Sequence, residues 1–199
     1  MKLIIIAVLL IACMSFANED KTAKQINYNV IRNNEIIGSI QVSYTTKNDS
    51  IIYYLDSHIN VKCLFRFDIR GKETSIFKND TMIYSSVYRR INDKVKSNHN
   101  VLYKNMKYHE AVDVNNIIPM DLTRIQHNLV SLYFFEPKTV RQVYCAYLKA
   151  IVDVESLGNN KYKVELSNGK YNIFHYQNGV CIKIEAHSRI FSVVLVPDA

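Results

Sequence analysis

Residues 161–187 read KYKVELSNGKYNIFHYQNGVCIKIEAH, and after a short link through Arg189 residues 191–196 continue FSVVLV. Tyr162, Val164 and Leu166 alternate with Lys163 and Glu165. Period-two alternation of this kind marks a strand with one buried face. Asn168-Gly169 and Asn178-Gly179 stand between such runs. Asn-Gly is a strong hairpin signal, because both central turn positions take positive φ. The stretch therefore predicts four antiparallel strands, Lys161–Leu166, Tyr171–Tyr176, Val180–Ala186 and Phe191–Val196.

The N-terminal half repeats the pattern. Ile26, Tyr28 and Val30 alternate with polar residues before Asn33-Asn34, and Ile36 to Thr46 alternates through Ile40, Val42 and Tyr44. Lys47-Asn48-Asp49 breaks the run, and Tyr53, Leu55, Ile59 and Val61 begin the next strand. Phe65, Phe67 and Ile69 face away from Arg66, Asp68 and Arg70. Asn79-Asp80 and Asn92-Asp93 turn the chain into Met82–Tyr88 and Lys94–Tyr103, and Lys107–Val114 is one more strand. Asn and Asp tolerate the left-handed backbone that tight turns need.

Between these halves the spacing changes. Leu122, Ile125, Leu129, Leu132 and Tyr133 recur at helical intervals behind Thr123-Arg124-Ile125-Gln126, which has the form of a capping box. Pro137 ends that run. Thr139-Val140-Arg141-Gln142 repeats the box ahead of Val140, Val143, Tyr144 and Tyr147. Two helices, 123–135 and 140–149, are expected. The fold expected is mainly β: a curved antiparallel sheet or half-barrel of about nine to eleven strands. The two helices are inserted before the last four strands and pack on its concave face.

The 199 residues carry a net charge of +7 and 48% hydrophobic side chains, with five Gly and three Pro. A disordered tail, a collagen-like chain and a low-complexity chain are all excluded by that balance. The start is distinctive. Met1-Lys2 leads into the apolar run Leu3–Ala12, and Ser15-Phe16-Ala17 precedes the polar Asn18-Glu19-Asp20. This has the layout of a secretory signal peptide over 1–17, too short for a spanning helix, with a single β-rich domain over 18–199. Leu10-Ile11-Ala12-Cys13 also fits a lipobox, in which Cys13 would be lipidated and anchor the chain. Both routes imply export to the periplasm or cell envelope.

Motifs for chemistry are scarce. No G-x-S-x-G elbow, P-loop or G-x-G-x-x-G occurs, and His109-Glu110 lacks the second histidine of a zinc helix. Cys63, Cys145 and Cys181 lack metal-ligand spacing and read as small buried hydrophobes. Glu185 and His187, two apart on one strand face, could share a proton or a metal, but a surface ion pair is the simpler reading. The lysines and arginines are spread along strands, as on a solvated sheet face. Nucleic-acid binding is not expected, whereas peripheral contact with an anionic envelope membrane fits the charge. No catalytic residue, metal or cofactor is assigned, and the chain reads as a non-enzyme.

Leu129-Val130-Ser131-Leu132-Tyr133-Phe134-Phe135 is apolar on more than one face and must be enclosed on several sides. One reading is a core element that fills the sheet. The other is the wall of an apolar cavity, with Leu129, Leu132, Tyr133, Phe134, Phe135, Tyr144 and Tyr147 as candidate lining residues for a lipid-like ligand.

Ile26-x-Tyr28-x-Val30 with Ile36-Ile37-Gly38, the segment Ser131–Pro137 (SLYFFEP) and Asn168–Gly179 (NGKYNIFHYQNG) together carry a resemblance. From about residue 25 to its end the chain resembles the DUF6134 type, exported proteins common in Bacteroidetes. It is similar, more remotely, to DUF3108 proteins and to periplasmic lipoprotein carriers built as a half-barrel with a helical lid. The resemblance implies export and a curved sheet, and it brings no catalytic residues. The function expected is an envelope protein binding an apolar or lipid-like ligand. The alternatives are a structural or interaction module with a filled interior and, third, a hydrolase around His175 or around Glu185 with His187.

Overall fold

The computed structural model describes residues 23–62, 66–112, 116–167, 169–189 and 191–198. The expected signal segment 1–17 with Cys13, and Cys63, Phe65 and Asn168, lie outside the described residues. Eight strands come first: β1 Ala23–Arg32, β2 Glu35–Lys47, β3 Ser50–Lys62, β4 Arg66–Lys78, β5 Thr81–Ile91, β6 Lys94–Lys104, β7 Lys107–Ala111 and β8 Ile117–Met120. After an irregular stretch the chain forms β9 Gln142–Cys145, β10 Ala150–Gly158, β11 Lys161–Ser167, β12 Lys170–Gln177, β13 Val180–His187 and β14 Ser192–Pro197.

All fourteen strands belong to one sheet, in the order β8-β7-β6-β5-β4-β3-β2-β1-β14-β13-β12-β11-β10-β9. Two meanders meet where β1 pairs antiparallel with β14, with Val30 opposite Leu195. Every strand-to-strand pairing is a neighbour in sequence except this one. The hairpins explain why. Asn33-Asn34, Asn79-Asp80, Asn105-Met106, Asn159-Asn160 and Asn178-Gly179 each hold both turn positions at positive φ. That geometry matches the right-handed twist of the flanking strands, and Asn, Asp and Gly reach it at the least cost. The Asn-rich turns thus set the register, and alternation then sends Tyr28, Val30, Val42, Val101 and Phe174 to the buried face.

The expected helices are absent. Among the described residues there is no α-helix, only a five-residue 3-10 turn at Leu129–Tyr133. Residues 140–149 form β9 and a turn instead of a second helix. The strand count also exceeds the nine to eleven expected. The reason is hydrogen bonding. Residues inside the expected first helix bond outward to the sheet: Met82 N–H donates to Ile125 O at 2.9 Å, and Tyr144 N–H donates to His127 O at 2.9 Å. The cap that forms is at Asn128, whose side chain accepts from Ser131 N–H at 2.9 Å. Neither capping box has a helix to cap.

This middle stretch, 121–141, leaves the β8 edge of the sheet, crosses the concave face and re-enters at the β9 edge. It fills the space that helices were expected to fill. Tyr133 packs edge-on against Tyr28 at 5.4 Å and against Phe174 at 5.8 Å, joining both meanders. Phe134 meets Tyr44 edge-on at 4.9 Å. Edge-to-face contacts of this kind each add about 0.5–1.5 kcal/mol beyond burial. Tyr108 OH donates to Met82 O at 3.0 Å and accepts from Ile125 N–H at 3.2 Å, so the buried phenol ties β5, β7 and the crossing segment.

Near the two edges side chains draw the sheet round on itself. Lys149 Nζ reaches both carboxylate oxygens of Glu110 at 2.7 Å. His99 Nε2 lies 3.0 Å from Ala146 O. The Arg89 guanidinium sits 4.9 Å above the Tyr147 ring. No ladder joins β8 to β9 among the described residues, so the sheet is curved but open.

Candidate functional site

The crossing segment blocks most of the interior; besides an opening of about 440 Å³ at the β1–β2 turn, two more are found among the described residues. The larger is a cleft of about 560 Å³ at one end of the sheet. One wall consists of the β2–β3 and β4–β5 hairpin tips, tied together where Asn79 N–H donates to Asp49 O at 3.2 Å. The other wall is the segment 126–140. Arg124 fixes that segment to the tip below, donating from Nε to Thr81 Oγ1 at 2.8 Å and from Nη2 to Asn79 O at 3.0 Å.

The floor of this cleft is apolar: Ile51, Tyr53, Phe77, Leu132, Phe135 and Val140. Its rim is polar, with Asp49, Asp80, His127 and Glu136 among the lining groups. Glu136 is almost wholly buried, accepts from Tyr162 OH at 3.0 Å and has Lys138 Nζ at 3.6 Å. Burial holds the His127 imidazole below its ordinary pKa, against a smaller opposing pull from Asp80. The Tyr53 phenol is pushed up to about 12 by burial, so it is a neutral hydroxyl at the cleft floor. A volume of this size, with an apolar floor under a polar rim, has the dimensions of a small-ligand site.

The smaller opening, about 130 Å³, lies among β3, β4, β5 and the β9–β10 turn. Leu55, Ile59, Ile69 and Val87 make its walls, with Ser57, Lys72, Glu73, Tyr88, Arg89 and Tyr147 as its polar and aromatic members.

The candidate lining residues divide accordingly. Leu132 and Phe135 line the larger cleft and Tyr147 lines the smaller one. Tyr133, Phe134 and Tyr144 are buried members of the packed core, and Leu129 packs against that core. The SLYFFEP stretch contributes Ser131, Leu132, Phe135, Glu136 and Pro137 to one cleft wall.

Sequence reading missed Ile51, Tyr53, Phe77 and Glu73. The first three flank the Asn/Asp turns, and only the topology brings two hairpin tips beside residue 135. Glu73 did leave a signal: it is a charge in phase with Ile69 and Phe77, at an inward position of β4.

The other polar cluster lies on the opposite face of the sheet. Glu185 receives Lys183 Nζ at 2.7 Å and His175 Nε2 at 3.0 Å on one oxygen, and His187 Nε2 at 3.4 Å on the other. His187 Nδ1 lies 2.9 Å from Ser192 Oγ, and its ring stacks on Tyr171 at 4.6 Å. The hydrogen bonds from Lys183 lead in holding the Glu185 carboxyl below its usual range. The cluster cross-links β12, β13 and β14. Among the described residues no group of three His, Cys, Asp or Glu side chains is arranged to hold a metal. Cys145 and Cys181 are free and buried, and burial pushes each thiol up to about 11. That makes them poor nucleophiles at neutral pH.

The comparisons with known proteins agree with this architecture. The family model DUF6134, a domain of unknown function, matches residues 28–198. The chain belongs to the DUF6134 family. Its fold is also similar to the crystal structure of a beta-barrel-like protein of domain of unknown function DUF1849 from Brucella abortus. That likeness has a TM-score of 0.53 at 9% identity, covering 89% of this chain and 95% of the other. At that identity the likeness concerns the fold alone. No curated protein matches. Among the described residues of this DUF6134 chain no helix is long and apolar enough to cross a membrane.

Proposed function

We propose that this DUF6134 protein is an exported envelope protein that holds an apolar or lipid-like ligand in the 560 Å³ cleft at the end of its sheet. The observation that carries the reading is Phe135. It lies in the SLYFFEP stretch, lines the cleft and keeps 49% of its surface exposed although its neighbours Tyr133 and Phe134 are buried. A large aromatic left half-open beside an apolar floor is stabilised when an apolar ligand covers it, by about 25 cal/mol for each Å² removed from water. Export rests on the signal-like start of the chain.

The test is binding of the fluorescent apolar probe N-phenyl-1-naphthylamine to the full mature chain. The reading predicts saturable binding that Phe135→Asp lowers at least about tenfold, the order expected for a charge placed in an apolar contact. Met106→Asp, at a more exposed apolar position on the β6–β7 turn, should leave binding unchanged. Equal binding by wild type and Phe135→Asp would sink it.

A second reading has its own observation. Edge strand β8 exposes Ile117 and Ile118, and an apolar open edge is a template for pairing with another chain. An interaction module of the envelope would use that edge. Ile118→Lys would then abolish the association without touching probe binding.

A further inference from the structure

The smaller opening carries a feature that core packing does not explain. Glu73 projects into it from β4, and among the described residues no hydrogen bond or ion pair reaches its carboxylate. Glu73 is only partly exposed, and a carboxylate screened from much of the solvent without donors is disfavoured in its charged form. Burial pushes its pKa up to about 7, and the charge of Arg89 opposes that rise without cancelling it. Arg89 lies on the neighbouring strand β5 and lines the same opening, yet it stacks on Tyr147 and forms no ion pair with Glu73. A carboxyl and a guanidinium thus line one opening, walled by Leu55, Ile59, Ile69 and Val87 and bordered by Lys72.

Charge balance decides what fits there. An alkylammonium head beside Glu73 would bring a second cation next to Arg89. A carboxylate head would pair with Arg89 and accept a hydrogen bond from Glu73 once Glu73 holds a proton, leaving the site neutral. The guanidinium fork suits a carboxylate in shape as well as in charge. We infer that the cavity lined by Glu73 and Arg89 is a second binding site, for a small aliphatic carboxylate, with Arg89 as the ion-pair partner and the Glu73 carboxyl as the hydrogen-bond donor. This site does not depend on the larger cleft. A volume of about 130 Å³ suits a short alkyl chain.

The surrounding titratable groups leave Glu73 in charge of the pH response. Tyr133 and Tyr144 face it from the crossing segment and β9, and burial raises both phenols far above neutral pH. Cys145 on β9 is pushed up to about 11. Arg89 stays charged throughout. Further along the concave face, His99 on β6 is turned to Ala146 O, and Glu110 on β7 is paired with Lys149. Lys72 on β4 is directed to Asp56 on β3. Between pH 6 and 8 the donor proton on Glu73 is lost, so carboxylate binding weakens as pH rises.

Titration calorimetry of the full mature chain with sodium hexanoate, hexan-1-amine and hexan-1-ol tests the site. Wild type should bind hexanoate about tenfold more tightly at pH 6 than at pH 8, following the protonation linkage. Arg89→Gln should lose at least tenfold at pH 6. Glu73→Gln, a permanent donor, should bind equally at both pH values, and this variant separates Glu73 from His99. A measurement needing no variant is the Glu73 carboxyl titration by carbon NMR, which saturating hexanoate should move upward. No hexanoate binding to folded wild type at pH 6 would overturn the inference. So would a preference for the amine or the alcohol, unchanged pH dependence in Glu73→Gln, or an unmoved Glu73 titration.

Discussion

The hydroxyl of Tyr176 on β12 donates a 2.5 Å hydrogen bond to the carbonyl of Leu132, deep under the crossing segment. Both residues are buried, Leu132 to 2% exposure and Tyr176 to 5%. The bond matters because the segment has almost no regular structure to satisfy its own backbone. Its polar groups are satisfied by the sheet around it: Tyr176 and Tyr28 direct hydroxyls at the carbonyls of Leu132 and Tyr133, and Tyr108 accepts from Ile125 N–H. The tyrosines thus replace the helix that the spacing of leucines predicts.

Tyr176→Phe should consequently destabilise the fold by about 1–3 kcal/mol, since it leaves the Leu132 carbonyl buried without a donor. For a domain of this size each kcal/mol corresponds to roughly 2–4 °C in the melting temperature. Calorimetry on both proteins checks it. A melting temperature at or above that of wild type would show that the carbonyl finds another donor.

The glycines of β2 and β4, on either side of β3, should respond unequally. A Cβ at Gly38 would overlap His58 O and stand 2.7 Å from Ile59 Cα, both backbone atoms of β3. A Cβ at Gly71 would meet the Ser57 Oγ at 2.8 Å, the end of a side chain that can rotate. Gly38→Ala should therefore cost more than about 2 kcal/mol, and Gly71→Ala under about 1 kcal/mol, within the usual spread for overpacking. Urea unfolding midpoints compare the two, and equal losses would count against the pairing register of β2 with β3.

Much of this was legible. The alternation at Tyr28, Val30, Val42 and Phe174 and the Asn/Asp turns led to an antiparallel curved sheet, because period and turn chemistry are local properties. The two helices were not, and the failure has a physical cause. Leu122, Ile125, Leu129 and Leu132 are spaced for one helix face, but a chain threaded through a curved sheet is also apolar on several sides. Spacing alone does not distinguish these cases. Thr123 and Thr139 have the composition of helix caps, yet Asn128 makes the cap that forms. The enclosure of Val130–Phe134 was readable; the exposure of Phe135 and the backbone that achieves the enclosure were not. The clefts were out of reach for a third reason, since Asp49, Phe77 and Phe135 are neighbours only through sheet topology.

The raised Glu73 pKa has a consequence for stability. A carboxyl whose folded pKa, about 7, exceeds the unfolded value favours the fold fully at low pH. That contribution is lost as pH rises through the folded pKa, so wild type should weaken between about pH 5 and 8 by about 2–3 kcal/mol from this group. Glu73→Gln should flatten that slope and be the more stable protein at pH 8. Denaturant midpoints of both proteins at pH 5 and pH 8 measure it, and parallel slopes would contradict it.

The seam between the sheet edges makes a smaller prediction. Glu110→Gln removes the carboxylate that Lys149 holds at 2.7 Å in a half-buried position. The expected loss is about 1 kcal/mol, larger in low salt than in high salt because screening weakens the pair in wild type. A loss independent of salt would assign the effect to packing.

The central claim is that the end of the sheet holds an apolar ligand, and native mass spectrometry of protein purified from its own cells tests it most directly. The account predicts a bound apolar or lipid-like molecule, released into organic solvent and missing from Phe135→Asp purified in the same way. A wild-type protein of bare polypeptide mass, or a ligand retained undiminished by Phe135→Asp, would contradict it.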